Sequence, residues 1–302
     1  MSIPKDARGA AIALGNFDGV HAGHQAVIAS ARAVAEERDA ALGVAVFEPH
    51  PRRFFQPDAP PFRLQSSAQR ARALGALGVN EVFELGFDAA LSKTSARDFA
   101  ERVLHEALGV SHVSVGADFR FGAGRQGDAT ALAAFGAELG FTVTSVSPVG
   151  DGGKISSTAI REAIAAGDMP RAAKWLTRPW AVEGAVERGF ARGRVFGFPT
   201  ANLDLGDYVR PRLGVYAARI DTGDGVLLPG VASVGVNPTV GELPAPVLEA
   251  HLFDFSGDLY GRVIEVELIA HLRDEAKFAS VDQLKAQMTQ DVVDARRALI
   301  ER

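Results

Sequence analysis

Five short apolar runs in the first half of the chain alternate with helix-like stretches, and this alternation constrains the fold more than any other feature. The runs cover residues 10–14, 42–47, 81–85, 112–115 and 142–146, with helical patterns at 23–38, 67–77, 95–108 and 130–139 between them. Strand and helix in turn specify a parallel sheet covered by helices, because each parallel crossover needs about a helix's length of chain. Ligands of such sheets gather at the carboxyl ends of the strands. The third helical stretch opens on Ser95-Ala-Arg-Asp98, a capping-box-like start. Two further helical segments follow at 157–166 and 170–176.

Near Thr177-Arg-Pro-Trp180 the pattern changes. Short strands are expected at 181–187, 214–220, 226–234, 247–255 and 263–268, with Gly223–Asp224 and Gly257–Asp258 as turn punctuation. The second part therefore reads as all-β, a closed or nearly closed barrel. It ends in a helix opened by the capping box Ser280-Val-Asp-Gln283. Leu284, Met288, Val292, Ala295 and Leu299 make one apolar stripe at helical spacing, a face to pack on the barrel. The expected division is 1–180 and 181–302.

Composition removes several chemistries. The chain has no Cys, which excludes disulfides, thiolate zinc sites, iron–sulfur clusters and a Cys nucleophile. Lys and Arg number 32 against 37 Asp and Glu, a net charge of −5, where a nucleic-acid binder would carry a basic excess. No signal pattern opens the sequence and no apolar run approaches the roughly 18 residues of a membrane helix. The expectation is a soluble cytoplasmic protein with no nucleic-acid or membrane partner.

The first chemical signal is Gly15-Asn-Phe-Asp-Gly-Val-His-Ala-Gly-His24, directly after the first strand. Glycines there let the backbone turn sharply and approach a ligand. His21 and His24 fall at an expected helix N-terminus, where amides and the dipole favour an anion. Two imidazoles can donate to a phosphate as its charge grows in a transition state. A zinc pair is the competing reading, but no further ligands follow at a matching spacing. Ser156, Ser157 and Thr158 precede another helix and can face phosphate oxygens, with Arg161 one turn inside adding a charged fork. By themselves they would read as an N-cap. Gly122-Ala-Gly-Arg-Gln-Gly127 matches a dinucleotide fingerprint, but it is not at the first strand–helix turn and lacks the later acidic residue, so a dehydrogenase is rejected.

In the β part, Thr200 and Asn202 sit two apart on an extended chain and offer hard oxygens for Mg2+ bridging ATP phosphates. The preceding stretch, with Gly193 and Arg194, can wrap phosphates as a basic loop. Glu249 shares a strand face with His251 and Phe253, a face that can open toward a ligand, though by itself it also reads as a solvated strand carboxylate.

These motifs together resemble the bacterial bifunctional riboflavin kinase/FAD synthetases. The Gly15–His24 run resembles the HxGH signature of nucleotidyltransferases. Phe47-Glu-Pro-His-Pro51 with Phe54 and Phe55, Gly116-Ala-Asp-Phe-Arg-Phe-Gly122, and Ile155-Ser-Ser-Thr-Ala-Ile-Arg161 resemble that family's later motifs. Gly193-Arg-Val-Phe-Gly-Phe-Pro-Thr-Ala-Asn202 resembles the flavokinase signature, continued by Glu249-Ala-His-Leu-Phe-Asp-Phe255, Asp258-Leu-Tyr-Gly261 and Leu272-Arg-Asp-Glu-Ala-Lys-Phe278. The resemblance implies a Rossmann-like nucleotidyltransferase domain followed by a flavokinase β-barrel with a terminal helix. It implies riboflavin, FMN, FAD and ATP as partners, with Mg2+ as cofactor and ATP as co-substrate. Catalytic roles fall to His21, His24 and Glu249, and metal binding to Thr200 and Asn202. ATP contacts fall to Gly15, Asn16, Phe17, Asp18, Ser156, Ser157, Thr158, Arg161, Gly193 and Arg194, and flavin contacts to His50, Asp118, Phe121 and Arg273. Asn237 departs from the family, which often has Arg there. The alternatives are an enzyme keeping one of the two activities, a nucleotidyltransferase for another phosphorylated substrate, and a non-catalytic flavin binder.

Overall fold

The computed structural model describes residues 7–150, 155–188, 198–236 and 246–300. The chain divides into two compact units, one of Met1–Ala59 and Ser67–Ser156, the other of Pro60–Ser66 and Ser157–Arg302.

The first unit runs β1 (Ala11–Leu14), α1 (Ala22–Glu37), β2 (Leu42–Glu48), α2 (Pro51–Phe55), α3 (Ser67–Ala76), β3 (Glu81–Gly86), α4 (Ala96–Asp98), β4 (His112–Gly116), β5 (Arg120–Phe121), β6 (Gly127–Asp128), α5 (Ala129–Leu139) and β7 (Thr142–Val146). α4 continues in wider i→i+5 winding over Phe99–Leu108 and stops at Gly109 in the left-handed region. Five strands form a parallel sheet in the order β3-β2-β1-β4-β7. β1 is buried throughout and alternates: Ile12 and Leu14 join Leu104 and Leu132 on one face, while Ala11 and Ala13 meet Val27, Ile28 and Ala31 of α1 on the other. Two alanines on that face let α1 approach the sheet closely. Strand order reverses between β1 and β4, which opens a crevice beyond their carboxyl ends. All five sequence-derived strands are present. α2 has no counterpart in the sequence reading, and the Gly122–Gly127 stretch forms a turn between β5 and β6 instead of a strand–helix junction.

A polar chain running from an exposed end at Arg38 to the buried His112 and Ser114 ties α1 to the sheet. Arg38 donates to Thr142 Oγ1 (2.8 Å), His112 bonds Thr142 Oγ1 (2.7 Å) and Ser114 Oγ (3.0 Å), and Ser114 bonds Ser30 on α1 (3.0 Å). Burial pushes His112 down to about 4, with the nearby Arg38 cation as the second cause.

The second unit contains α6 (Ser157–Ala166), α7 (Met169–Leu176), β8 (Trp180–Ala185), β9 (Ala201–Asp204), β10 (Gly214–Asp221), β11 (Leu227–Val236), β12 (Pro246–Leu252), β13 (Val263–Arg273) and α8 (Val281–Ile300). Its six strands are antiparallel in the order β8-β13-β10-β11-β12-β9. The Glu187 amide donates to the Asn202 carbonyl (2.9 Å), so the segment after β8 bridges to β9 and nearly closes the barrel. The α8 stripe lies as its spacing predicts: Val292, Ala295 and Leu299 pack on Ala217 and Phe253. The strand expected over 247–255 stops at Leu252, and Asp254 turns the chain with φ of 55°. Residues 60–66 also belong here. Phe62 and Arg63 amides donate to the Asp207 carbonyl (3.0 and 2.8 Å), and Trp180 Nε1 donates to the Leu64 carbonyl (2.8 Å).

Candidate functional site

Leaving β1, the chain turns through positive φ at Phe17 (50°), Gly19 (91°) and Val20 (42°) before entering α1. A β-branched residue in the left-handed region is costly and is held there by its surroundings, since Val20 is 1% exposed. His21 caps α1. Its Nδ1 accepts from the His24 amide (3.3 Å), which puts the ring proton on Nε2. The rings of His21 and His24 stack with centroids 3.6 Å apart and 18° between planes. Gly23 makes room for this: a Cβ there would lie 3.1 Å from His21 Cε1. Phe17 and Asp18 are buried, and Phe17 contacts the His24 ring at 5.1 Å. Gly15 hydrogen-bonds the Ala45 carbonyl (3.1 Å), which pins the start of the turn to β2. Asn16 Oδ1 is buried and accepts no hydrogen bond among the described residues. That oxygen is an acceptor for a bound donor.

Other positions expected at this site divide. His50 is half-buried beyond β2 and Asp118 exposed beyond β4, and His50 Nδ1 caps α2 by accepting from the Arg52 amide (3.0 Å). Phe121 is buried in the core, its ring 5.7 Å from those of Phe99 and Phe119. Ser156 ends the first unit, whereas Ser157, Thr158 and Arg161 open α6 in the second. Arg161 Nε donates to the Phe62 carbonyl (2.7 Å) and its guanidinium lies 5.5 Å from the Phe62 ring centroid. Sequence reading missed Phe87, which sits edge-on to Phe47, Phe54 and Phe55. Phe55 in this group is 63% exposed, an apolar surface past the ends of β2 and β3.

In the barrel, β9 sets Asn202 directly opposite Glu249 of β12, so both side chains share one face. Thr200 Oγ1 donates to Glu249 Oε2 at 3.5 Å, and Asn202 Nδ2 donates to the Thr200 carbonyl at 3.5 Å. The Asn202 amide oxygen and the Thr200 hydroxyl, beside the Glu249 carboxylate, are hard oxygen donors of the kind that suits Mg2+. His251 Nδ1 bonds the Pro199 carbonyl (2.8 Å) and steadies the Thr200 segment. Arg273 is bound in place: Nε and Nη2 reach the two Asp291 oxygens of α8, each at 2.7 Å, and Asp291 also accepts from Gln287 (2.9 Å). Gly193, Arg194 and Asn237 lie outside the described residues.

The FAD synthetase family matches residues 3–159 and the riboflavin kinase family residues 176–299. The chain belongs to the bifunctional riboflavin kinase/FMN adenylyltransferase family. It is 44% identical over 290 residues to the bifunctional riboflavin kinase/FMN adenylyltransferase of Pseudomonas fluorescens, covering 96% of this chain and 93% of that one. The protein of that name from Escherichia coli K12 is 42% identical over 95% of this chain and 92% of its own, and that of Listeria monocytogenes 37% over 94% and 91%. A solved structure titled as a macrolide-efflux protein from Streptococcus pneumoniae superposes with a TM-score of 0.87 at 33% identity, over 98% of this chain and 95% of that one. Among the described residues of this family member, no helix is long and apolar enough to cross a membrane.

Proposed function

We propose that this chain makes FAD from riboflavin in two ATP-dependent transfers, each served by its own residues. The family assignment gives both activities, riboflavin kinase and FMN adenylyltransferase. The residue roles rest on one observation, that Glu249 faces Asn202 across the β12–β9 ladder. There the Glu249 carboxylate takes the proton of the riboflavin 5′-hydroxyl as the oxygen attacks the γ-phosphorus of ATP and ADP leaves. Mg2+ held by Thr200 and Asn202 would offset charge on the transferring group. The segment carrying Gly193 and Arg194 is assigned to the ATP phosphates.

In the second reaction an FMN phosphate oxygen attacks the α-phosphorus of ATP and pyrophosphate leaves. That attacker is already ionised at neutral pH, so the step needs orientation and charge stabilisation, not a strong base. His21 Nε2–H and His24 are assigned to donate to the α-phosphate, a role supported by their position at the α1 N-terminus. Ser156, Ser157, Thr158 and Arg161 are assigned to the departing phosphates, and Gly15 to Asp18 to the nucleotide. His50, Asp118 and Phe121 are assigned to the flavin of this reaction, Arg273 to that of the first. The adenylyl residues thus fall within 1–180 and the kinase residues within 181–302, and the cytoplasm, which supplies ATP, is the proposed compartment. Incubation with riboflavin, ATP and magnesium followed by product chromatography tests the reading. FMN and then FAD should accumulate; accumulation of neither product, or of FMN alone, overturns it.

A further inference from the structure

The strand register draws a line across the outer face of the barrel, with a β-bulge beside Val215 at its last step. Asn202 pairs with Glu249, Glu249 with Ser233, Ser233 with Val215, and Val215 with Arg273, one residue from each of five adjacent strands. In-register partners share a face with Cβ atoms about 4.5–5.5 Å apart. The line therefore starts at the assigned base, passes over a small hydroxyl and a small apolar side chain, and reaches the guanidinium three strand spacings later, roughly 14 Å away.

The rows on either side of Ser233 are covered, and within its own row Val215 and Asn202 are buried while Ser233 and Glu249 are half-buried. One row over, Val231 and Ala217 lie beneath α8. On the opposite side, Gly235 is approached so closely by Glu275 that a Cβ would collide with the carboxylate. Between them Ser233 is half-buried, and its hydroxyl makes no hydrogen bond to another described residue. A strand-centre serine beside a carboxylate, flanked by buried positions, is a polar group kept for something that is not protein.

We propose that Ser233 binds the secondary hydroxyl adjacent to the terminal carbinol of the acceptor, and so selects a polyhydroxylated side chain for phosphorylation. The inference rests on Glu249 acting on that carbinol. With the terminal oxygen at Glu249, the hydroxyl on the next carbon lies between the two strands, within hydrogen-bond reach of Ser233 on the neighbouring strand. The Ser233 hydroxyl donates to or accepts from the substrate hydroxyl, and this contact fixes the angle at which the terminal oxygen meets the base.

The test compares riboflavin with its 4′-deoxy analogue, which lacks only that hydroxyl, in the full chain and its Ser233→Ala and Ser233→Thr variants. For riboflavin, Ser233→Ala should lower kcat/KM about tenfold, the worth of one hydrogen bond to substrate. For the deoxy analogue the same substitution should change nothing, and Ser233→Thr, which keeps the hydroxyl, should retain most riboflavin activity. Circular dichroism and thermal unfolding of the same samples report that the barrel of each variant is folded. Equal losses on both flavins, or no loss on riboflavin, overturn the assignment of Ser233. Glu249→Gln is run in parallel: if its turnover survives, the base assignment falls and takes the Ser233 role with it, whereas loss of its turnover leaves any failure to Ser233 alone.

Discussion

The imidazoles of His21 and His24 lie ring on ring at 3.6 Å, and the His24 amide donates to His21 Nδ1. The contact makes one unit of two side chains, with the helix cap setting the tautomer of the first ring and the second ring bracing its plane. Gly23 between them is what the stack requires.

Two substitutions probe that unit. His24→Ala should slow FAD formation from FMN at least about 100-fold, the size of one lost transition-state donor. Gly23→Ala should slow it about tenfold, by pushing the His21 ring off its seat. Riboflavin phosphorylation by the same samples should be unchanged, because the residues assigned to it belong to a different unit and share no assigned role with the histidines. Product chromatography from each flavin reads both reactions, and unimpaired FAD synthesis in the His24 variant removes the pair from the mechanism.

At the barrel site, Asn202→Ala should raise the magnesium and ATP concentrations needed for FMN formation. Glu249→Gln keeps shape and most hydrogen bonding, so turnover should fall far more than flavin affinity. Fluorescence titration of riboflavin alongside steady-state rates separates the two effects. Matching losses in binding and turnover would make Glu249 a binding group only.

Asp291 is 5% exposed and takes both prongs of Arg273. Asp291→Ala should therefore destabilise the barrel by about 3 kcal/mol, most of it from leaving the guanidinium without its counter-ion. Urea unfolding measures this, and a change near zero would show that the ion pair contributes no net stability.

His112 titrates at about 4 in the folded chain against an ordinary 6.5. Between these values the unfolded chain takes up a proton that the folded chain does not. Stability is accordingly full above pH 6.5 and declines as pH falls towards 4. In His112→Gln the slope of stability against pH across that window should be shallower than in the parent. Superimposable slopes in urea titrations would remove His112 as the cause.

A fragment starting at Ala181 discards Trp180, which is 2% exposed and edge-on to Tyr208 at 6.2 Å. One starting at Ser157 keeps it together with α6 and α7. The longer fragment should be more stable by about 3 kcal/mol, the cost of losing a buried indole. Thermal unfolding by circular dichroism gives the comparison, and equal midpoints would place Trp180 outside the barrel's stabilising core.

By itself, the sequence determined the five parallel strands, the switch to antiparallel strands and the α8 stripe. All of these are written in contiguous residues, as period-2 or period-3.6 spacing, caps and turns, so local steric and hydrogen-bonding rules suffice to read them. The candidate residues His21, His24, Thr200, Asn202 and Glu249 are singled out by contiguous motifs and by their resemblance to a family. Only the tertiary structure decided that residues 60–66 join the second unit, that Phe87 completes an aromatic group, that Arg273 is held by Asp291, and that Ser233 stands beside Glu249. Each is a pairing between positions distant in the chain. Sequence periodicity states which face a residue takes, but not which residue of another strand or helix meets it there; that is set when burial of the two sheets' cores selects one register out of many.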